Sequence, residues 1–438
     1  MHKPAVLLAN EGFVTDGRSA SSNKGMPALR IVPETMPCEC SVAEDAESAI
    51  AKVIGRVADG LIAPLTAEEA SPKAKVRETL SRTIFKGSIG EVNRFYYRKG
   101  WGDGLPVIPP TEEAVREMLA GTDLPPDHMV GKLEPRMGKA TVEKIAINAV
   151  MAGALPIHMP LLITCVKLLL DPLCRFETFN TSTGSWAPFW VVNGPVREDI
   201  HVNGGSGALS PGNIANAAIG RAMGLIIKNI GGARQGVEDM GVLGNPGKYA
   251  MVLSENEEHS PWEPLHVEAG LDRSDSAVSL IYPNCYSQVW PFDSDDKGIL
   301  NGIIYNLQPG RGGLSCLILT PVHARILAQK GWTKEMIVKY VAEFARVPAY
   351  RHPNFYQKDR AIVKQGAVPM SSMDPMAVIP NPDYLRVVVA GGPGAFIGLV
   401  CGAALGGARW VTKKVELPAN WSELVSRYRN FVPVYERY

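Results

Sequence analysis

The sequence lacks an excess of charge of either sign. Its 438 residues carry 45 lysines and arginines against 44 aspartates and glutamates, a net charge of +1. A protein that tracks a phosphate backbone needs a basic stripe, so nucleic-acid binding is not expected. Long apolar runs are also missing. Residues 161–170 are interrupted by Lys167 and bounded by Pro160 and Asp171-Pro172, too short for the ~20 residues of a membrane helix. Residues 390–411 are long enough but are broken by glycines, Pro393 and Arg409, so no membrane span is expected. The N-terminal apolar run, 5–9, is shorter than the ~7–15 residues of a secretory signal. Cysteine is scarce: the seven are odd in number and follow no disulfide spacing. A reducing, cytoplasmic setting is the expectation. Neither a P-loop nor a GxSxG nucleophile elbow occurs.

What is present suits a packed globular chain. Apolar residues make up 46% and charged residues 20%. Strand and helix patterns alternate, which predicts an α/β fold. The expected division is a small Rossmann-like α/β unit over 1–70, a linker and connecting helix over 71–98, and a larger mixed α/β domain with glycine-rich loops over 99–438. In the small unit, strands are expected at 5–9, 28–32 and 61–65, a loop at 17–25 and a helix at 44–58. Further on, helices are expected over 76–98, after the cap Thr111, over 141–152, from Ser210-Pro211 to 228, and over 333–346. Strands are expected at 189–192 and 385–390. The second feeds Gly391-Gly392-Pro393-Gly394 and then a helix with Gly394, Gly398, Gly402 and Gly406 on one packing face.

Five segments hold candidate chemistry. In the loop 201–213, Asn203, Gly205, Ser206, Gly207 and Asn213 offer backbone N–H groups and neutral hydrogen bonds ahead of a helix. That suits a carboxylate or phosphate, with Arg221 within reach if its helix faces the loop. The stretch 254–268 concentrates five carboxylates and two histidines. Glu257, Glu263 and His266 are its candidates for proton transfer, and Trp262 for contact with a substrate. A solvated acidic loop is the plainer alternative. A divalent metal is conceivable there, but Pro261 and Pro264 prevent an HExxH-like helix. Asp103, in Trp101-Gly102-Asp103-Gly104, reads as a base or as a simple turn former. The turn 391–394 departs from GxGxxG, so a nucleotide cofactor is not expected. Cys38, Cys40 and Cys285 are candidate thiols, although buried inert cysteines are common.

Several strings resemble the bacterial UGSC-like (seleno)protein family. They are Asp103-Gly104-Leu105-Pro106-Val107-Ile108-Pro109-Pro110-Thr111, the run 140–153, Asn193-Gly194-Pro195, Gly212-Asn213 with Asn216 and Arg221, Glu257-Glu258 with Ser260-Pro261-Trp262-Glu263-Pro264-Leu265-His266, and Val389-Ala390-Gly391-Gly392-Pro393-Gly394. The resemblance covers about 90–415 and implies thiol or selenol redox chemistry in the small domain. The family motif would precede Gly25-Met26-Pro27, yet residues 1–37 contain no cysteine. A partner chain would then supply it, or the larger domain works alone.

The leading expectation is an enzyme that acts on a small anionic organic substrate by acid–base chemistry of lyase, hydratase or isomerase type, with or without a metal. A thiol-dependent redox enzyme is the first alternative. A non-catalytic subunit of a hetero-oligomer, docked through the glycine-lined helix, is the second. A homo-oligomer or an assembly with a related chain is expected.

Overall fold

The computed structural model describes residues 4–36, 43–72, 81–307, 313–351 and 373–431. It is a mixed α/β protein, as the alternating patterns predict. Among the described residues no helix is long and apolar enough to cross a membrane.

The N-terminal unit opens with a strand, Val6–Asn10, parallel to Arg30–Glu34, with the helix Val14–Asn23 as the crossover. The expected loop at 17–25 is therefore mostly helical. Gly17 faces the strands, where an added Cβ would lie 2.9 Å from the tip of the Leu7 side chain. A second helix, Ala43–Ile62, follows. The expected strand at 61–65 does not form. Leu61 and Ile62 finish this helix, and Arg30 then donates to the carbonyls of Gly60, Ala63 and Pro64 at 2.7–3.0 Å. Helix ends leave free carbonyls, and a cation satisfies them. Cys38 and Cys40 lie outside the described residues.

The connecting helix is shorter than the sequence predicts. It spans Ile89–Lys99, started by a Ser88–Glu91 capping box and ended by Gly100 at φ +68°. The caps expected at Thr111 and Thr333 are in place, and Thr141 caps Val142–Ala152 in the same way: each accepts a backbone N–H at the head of its helix.

Two four-stranded mixed sheets form the body. The first runs Val411–Lys414, Ala277–Ile281, Phe189–Asn193, Val252–Ser254. Its last two strands are parallel. The second runs Leu385–Val389, Ser315–Leu319, Ile397–Gly402, Pro283–Val289, and here the first two are parallel. The chain passes from one sheet to the other through Tyr282. One core combines the helices Val142–Ala152, Met159–Leu169 and Ile214–Ile226 with the first sheet and one face of the second. A second core lies between the other face and the helices Asp296–Asn306, Pro321–Gln329 and Lys334–Phe344.

Two expectations fail at the glycine-rich loops. The helix Ile214–Ile226 starts after Asn213, not at Ser210-Pro211. The Asn213 side chain accepts from Asn216 N at 3.1 Å and donates to His201 O at 2.8 Å. After 391–394 comes the strand Ile397–Gly402, not a helix. Gly398 and Gly402 lie within that strand and Gly406 lies in a turn, so no glycine-lined helix face exists there. A docking interface cannot be built on that face.

Candidate functional site

Each parallel strand pair ends at the same region. In open α/β sheets, ligands gather beyond the carboxyl ends of parallel strands. Here Asn193-Gly194 and Ser254-Glu255 follow one pair, and Thr320 and Ala390-Gly391 follow the other. The two ends are stitched together: Asn256 N donates to Val389 O at 2.7 Å, and Gly391 N to Gly204 O at 2.8 Å. The loop after Val202 lies between them. On one side of it is a cleft of about 480 Å³, lined by Arg197, His201, Asn203, Glu198, Glu258 and His259, among others. On the other is a cavity of about 430 Å³ between Ser206-Gly207 and Gly391-Gly392, with Tyr286 and Thr320 in its wall.

The cleft rests on a buried polar layer. Glu255 is fully buried and accepts from Asn193 Nδ2 at 2.7 Å, Leu265 N at 2.7 Å and Lys334 Nζ at 3.0 Å. Glu257 accepts from Gly194 N at 2.7 Å and Asn193 Nδ2 at 3.1 Å, with Arg197 Nε at 3.4 Å. His266 Nδ1 is 3.9 Å from Glu257. Around this carboxylate, Asn193 Oδ1, Arg197 Nε and His266 Nδ1 are buried without a hydrogen-bond partner. Such atoms are rare in native proteins and mark a place where water or a functional rearrangement belongs.

At the surface of the cleft, Arg197 holds Glu258 by Nη1 at 2.9 Å and by a second contact through Nη2, with Glu198 at 3.5 Å from the same guanidinium. A hydrogen bond from Glu198 joins the two carboxyls. That bond, together with partial burial, raises Glu198 above the usual carboxylate range. Burial disfavours charge on Glu258, but the hydrogen bonds from Arg197 and Glu198 outweigh it and hold Glu258 at about 2. One carboxyl therefore keeps its proton longer than its neighbour. His201, close by, adopts the left-handed backbone region at φ +54°. Residues held there cluster at functional sites.

Most of the predicted site residues fall into four groups. Asn203, Gly205 and Asn213 line the cleft. Glu257 and His266 lie directly beneath it, with His266 fully buried. Ser206 and Gly207 line the neighbouring cavity. Asp103 and Arg221 are elsewhere, in the rim of a third, larger cavity of about 710 Å³ walled by Phe176, Phe179 and Trp186. There Arg221 Nε meets Asp103 at 2.8 Å and its Nη2 reaches the Pro106 carbonyl at 2.7 Å. Burial works against charge on Asp103, yet Arg221 holds its carboxyl below the usual range. An ion-paired carboxylate of that kind is a poor base.

Two more predicted residues stand apart from the cleft. Glu263 is exposed and paired with Arg273 at 2.6 Å. Trp262 packs against the second core and donates its indole N–H to Trp332 O at 2.9 Å. Sequence reasoning missed Arg197, Glu198 and Lys334. Arg197 and Glu198 follow Asn193-Gly194-Pro195-Val196 just past a strand end, a position where they could have been noticed. Lys334 sits at the start of a helix far along the chain, and nothing local links it to Glu255. Among the described residues, no group of three or more His, Cys, Asp or Glu side chains is placed to hold a metal ion.

No protein-family model matches the chain, and no curated protein or solved structure matches it.

Proposed function

We propose that this chain is an enzyme that acts on a small anionic organic molecule by acid–base chemistry in the cleft at the carboxyl ends of Phe189–Asn193 and Val252–Ser254. The observation that carries this reading is the Glu198–Glu258 pair. Two adjacent carboxyls whose environments drive their protonation apart are the signature of an acid and a base in one site. Glu198, the carboxyl of the two with the higher affinity for a proton, donates to a leaving hydroxyl or a developing oxyanion. Glu258, ionised and steadied by Arg197, takes a proton from carbon or from water. Glu257 acts from below on Arg197, 3.4 Å from its Nε, and His266 stands 3.9 Å from Glu257. The substrate anion lies against Arg429 and the amino end of Ile214–Ile226, both at the cleft. Proton transfers of this kind serve eliminations, hydrations and isomerisations alike.

The UGSC-like kinship belongs to the same proposal. It is supported by the placement of three of its strings, Asn193-Gly194-Pro195, Gly212-Asn213 and Glu257-Glu258, around one cleft.

The test uses the intact protein in D₂O with a panel of 2-hydroxy, 2-oxo and 2,3-unsaturated carboxylic acids, followed by proton NMR. The expected result is deuterium incorporation or water exchange in a member of the panel. Glu258→Gln should slow it by ~10²–10⁴-fold, the usual worth of a general acid or base. Wild-type rates in a Glu198→Gln/Glu258→Gln double variant would overturn the proposal, and so would inertness of the folded protein towards the whole panel.

A further inference from the structure

Away from the cleft, Cys285 and Cys401 lie directly opposite each other on the antiparallel strands Pro283–Val289 and Ile397–Gly402. Residues paired in this way have Cα atoms ~4.5–5.5 Å apart. A disulfide spans Cα separations of ~4.4–6.8 Å. The side chains of such a pair share one face of the sheet. Cys401 belongs to the second core and is 8% exposed, whereas Cys285 is exposed on the outermost strand of the sheet. The Cys285 thiol points at its partner residue and donates to the Cys401 carbonyl at 3.7 Å.

The other described cysteines provide the contrast. Cys165, Cys174 and Cys316 are buried, and burial pushes their thiols up. Hydrogen bonding between the thiols of Cys285 and Cys401 instead pulls Cys285 down to about 7 and pushes Cys401 up. The pair thus combines an accessible, readily ionised sulfur with a sheltered, protonated one beside it. Those are the properties of an attacking thiol and a resolving thiol.

We propose that Cys285 and Cys401 are a redox-active dithiol that closes to a cross-strand disulfide on reaction with a hydroperoxide. With hydrogen peroxide, the Cys285 thiolate attacks one oxygen. An S–O bond forms, the O–O bond breaks, and the departing hydroxide takes up the proton that Cys285 had released. Cys285 is then a sulfenic acid. The Cys401 sulfur attacks it, an S–S bond forms, the S–O bond breaks, and hydroxide leaves as water with the Cys401 proton. Two thiols lose two electrons, one peroxide gains them, and two waters are released. A small thiol reductant reverses the disulfide. The bond ties down the edge strand whose opposite face, through Tyr286 and Gln288, walls the 430 Å³ cavity.

The experiment treats the reduced full-length protein with stoichiometric hydrogen peroxide and maps the peptides by mass spectrometry without reduction. A linked Cys285–Cys401 peptide, lost on adding dithiothreitol, is expected as the main product. Cys285→Ser, an exposed change that leaves the core intact, should abolish it. In Cys401→Ser, dimedone should trap a sulfenic acid on Cys285. The wild-type map stands even if Cys401→Ser folds poorly. Three findings would each overturn the proposal: Cys285 oxidised while Cys401 remains a free thiol, Cys285 joined to another molecule, or Cys285 left reduced while other cysteines react.

Discussion

Glu255 is the most constrained ionisable residue near the cleft. It has no solvent exposure and is held by Lys334, itself only 5% exposed, with Asn193 and the Leu265 amide filling its remaining valences. Burying two charges costs desolvation energy that their attraction roughly repays, so the pair as a whole adds little stability. Removing one partner is different, because it strands a charge in the interior. Lys334→Met should therefore destabilise the protein by ~3–5 kcal/mol, read from denaturant unfolding. The double variant Lys334→Met/Glu255→Gln should recover much of that loss. A single-variant loss below ~1 kcal/mol would mean that water already reaches Glu255. The same buried layer shows what a sequence can reveal at this scale. The acidic and histidine-rich string at 254–268 is visible as a concentration of titratable groups. Which member faces a ligand is not, because successive residues there turn in different directions. Glu258 faces the cleft, Glu257 and His266 lie beneath it, and Glu263 turns to solvent. The Lys334 partner is 79 residues from Glu255, a separation that only tertiary folding closes.

The elements around the cleft depend on backbone that closes tightly. Gly194 ends the strand Phe189–Asn193 at φ +79°, and an added Cβ would fall 2.0 Å from the Asp275 carbonyl oxygen. The left-handed conformation alone costs a residue with a side chain ~1–2 kcal/mol. The collision must add to that, because its partner is backbone rather than a flexible side chain. Gly194→Ala should then cost more than ~2 kcal/mol in unfolding experiments. It should also loosen the cleft, since Gly194 N is a donor to Glu257. A variant of wild-type stability would show that the loop can shift away from Asp275 without penalty. Two element starts marked by a local cap were legible: Thr111 and Thr333 declare their helices through one side chain and a backbone N–H three residues on. Glycine-rich turns were not. Gly391-Gly392-Pro393-Gly394 would suit a helix start as well as a hairpin-like return. The choice is made by Ser315–Leu319, which pairs with Ile397–Gly402 and pulls the following residues into the sheet. Ser210-Pro211 misled for a related reason. Asn213 binds the His201 carbonyl as well as capping the helix, and that second contact fixes where the helix begins.

At the scale of the whole molecule, the N-terminal unit and the two-sheet body are unequal in what holds them together. The body encloses two hydrophobic cores that share the second sheet, and its sheets are bonded to each other at the cleft. In the N-terminal unit, the buried hydrophobic side chains among the described residues are Val32, Ala49 and Val53. Units of this size cannot remove much apolar surface from water, so their own cores are marginal. The contacts that join the unit to the body include polar ones. Ser19 donates to Glu238 at 2.7 Å, Asn23 to the Pro135 carbonyl at 3.4 Å, and Lys24 stands 3.7 Å from Glu134. The Lys24 side chain is 66% exposed, and an ion pair that open contributes at most ~1 kcal/mol. That pair therefore adds little to the docking of the unit. Native proteins open in cooperative pieces, and the piece with the fewest buried apolar contacts opens first. Native-state hydrogen exchange followed by mass spectrometry should show Val6–Asn10 and Arg30–Glu34 exchanging through an opening that leaves Phe189–Asn193 and Ser315–Leu319 protected. Low denaturant should accelerate the first pair before the second. If all four strands exchange with a single free energy and a single denaturant dependence, the unit is an integral part of the body, and its polar contacts carry far more than their exposure implies.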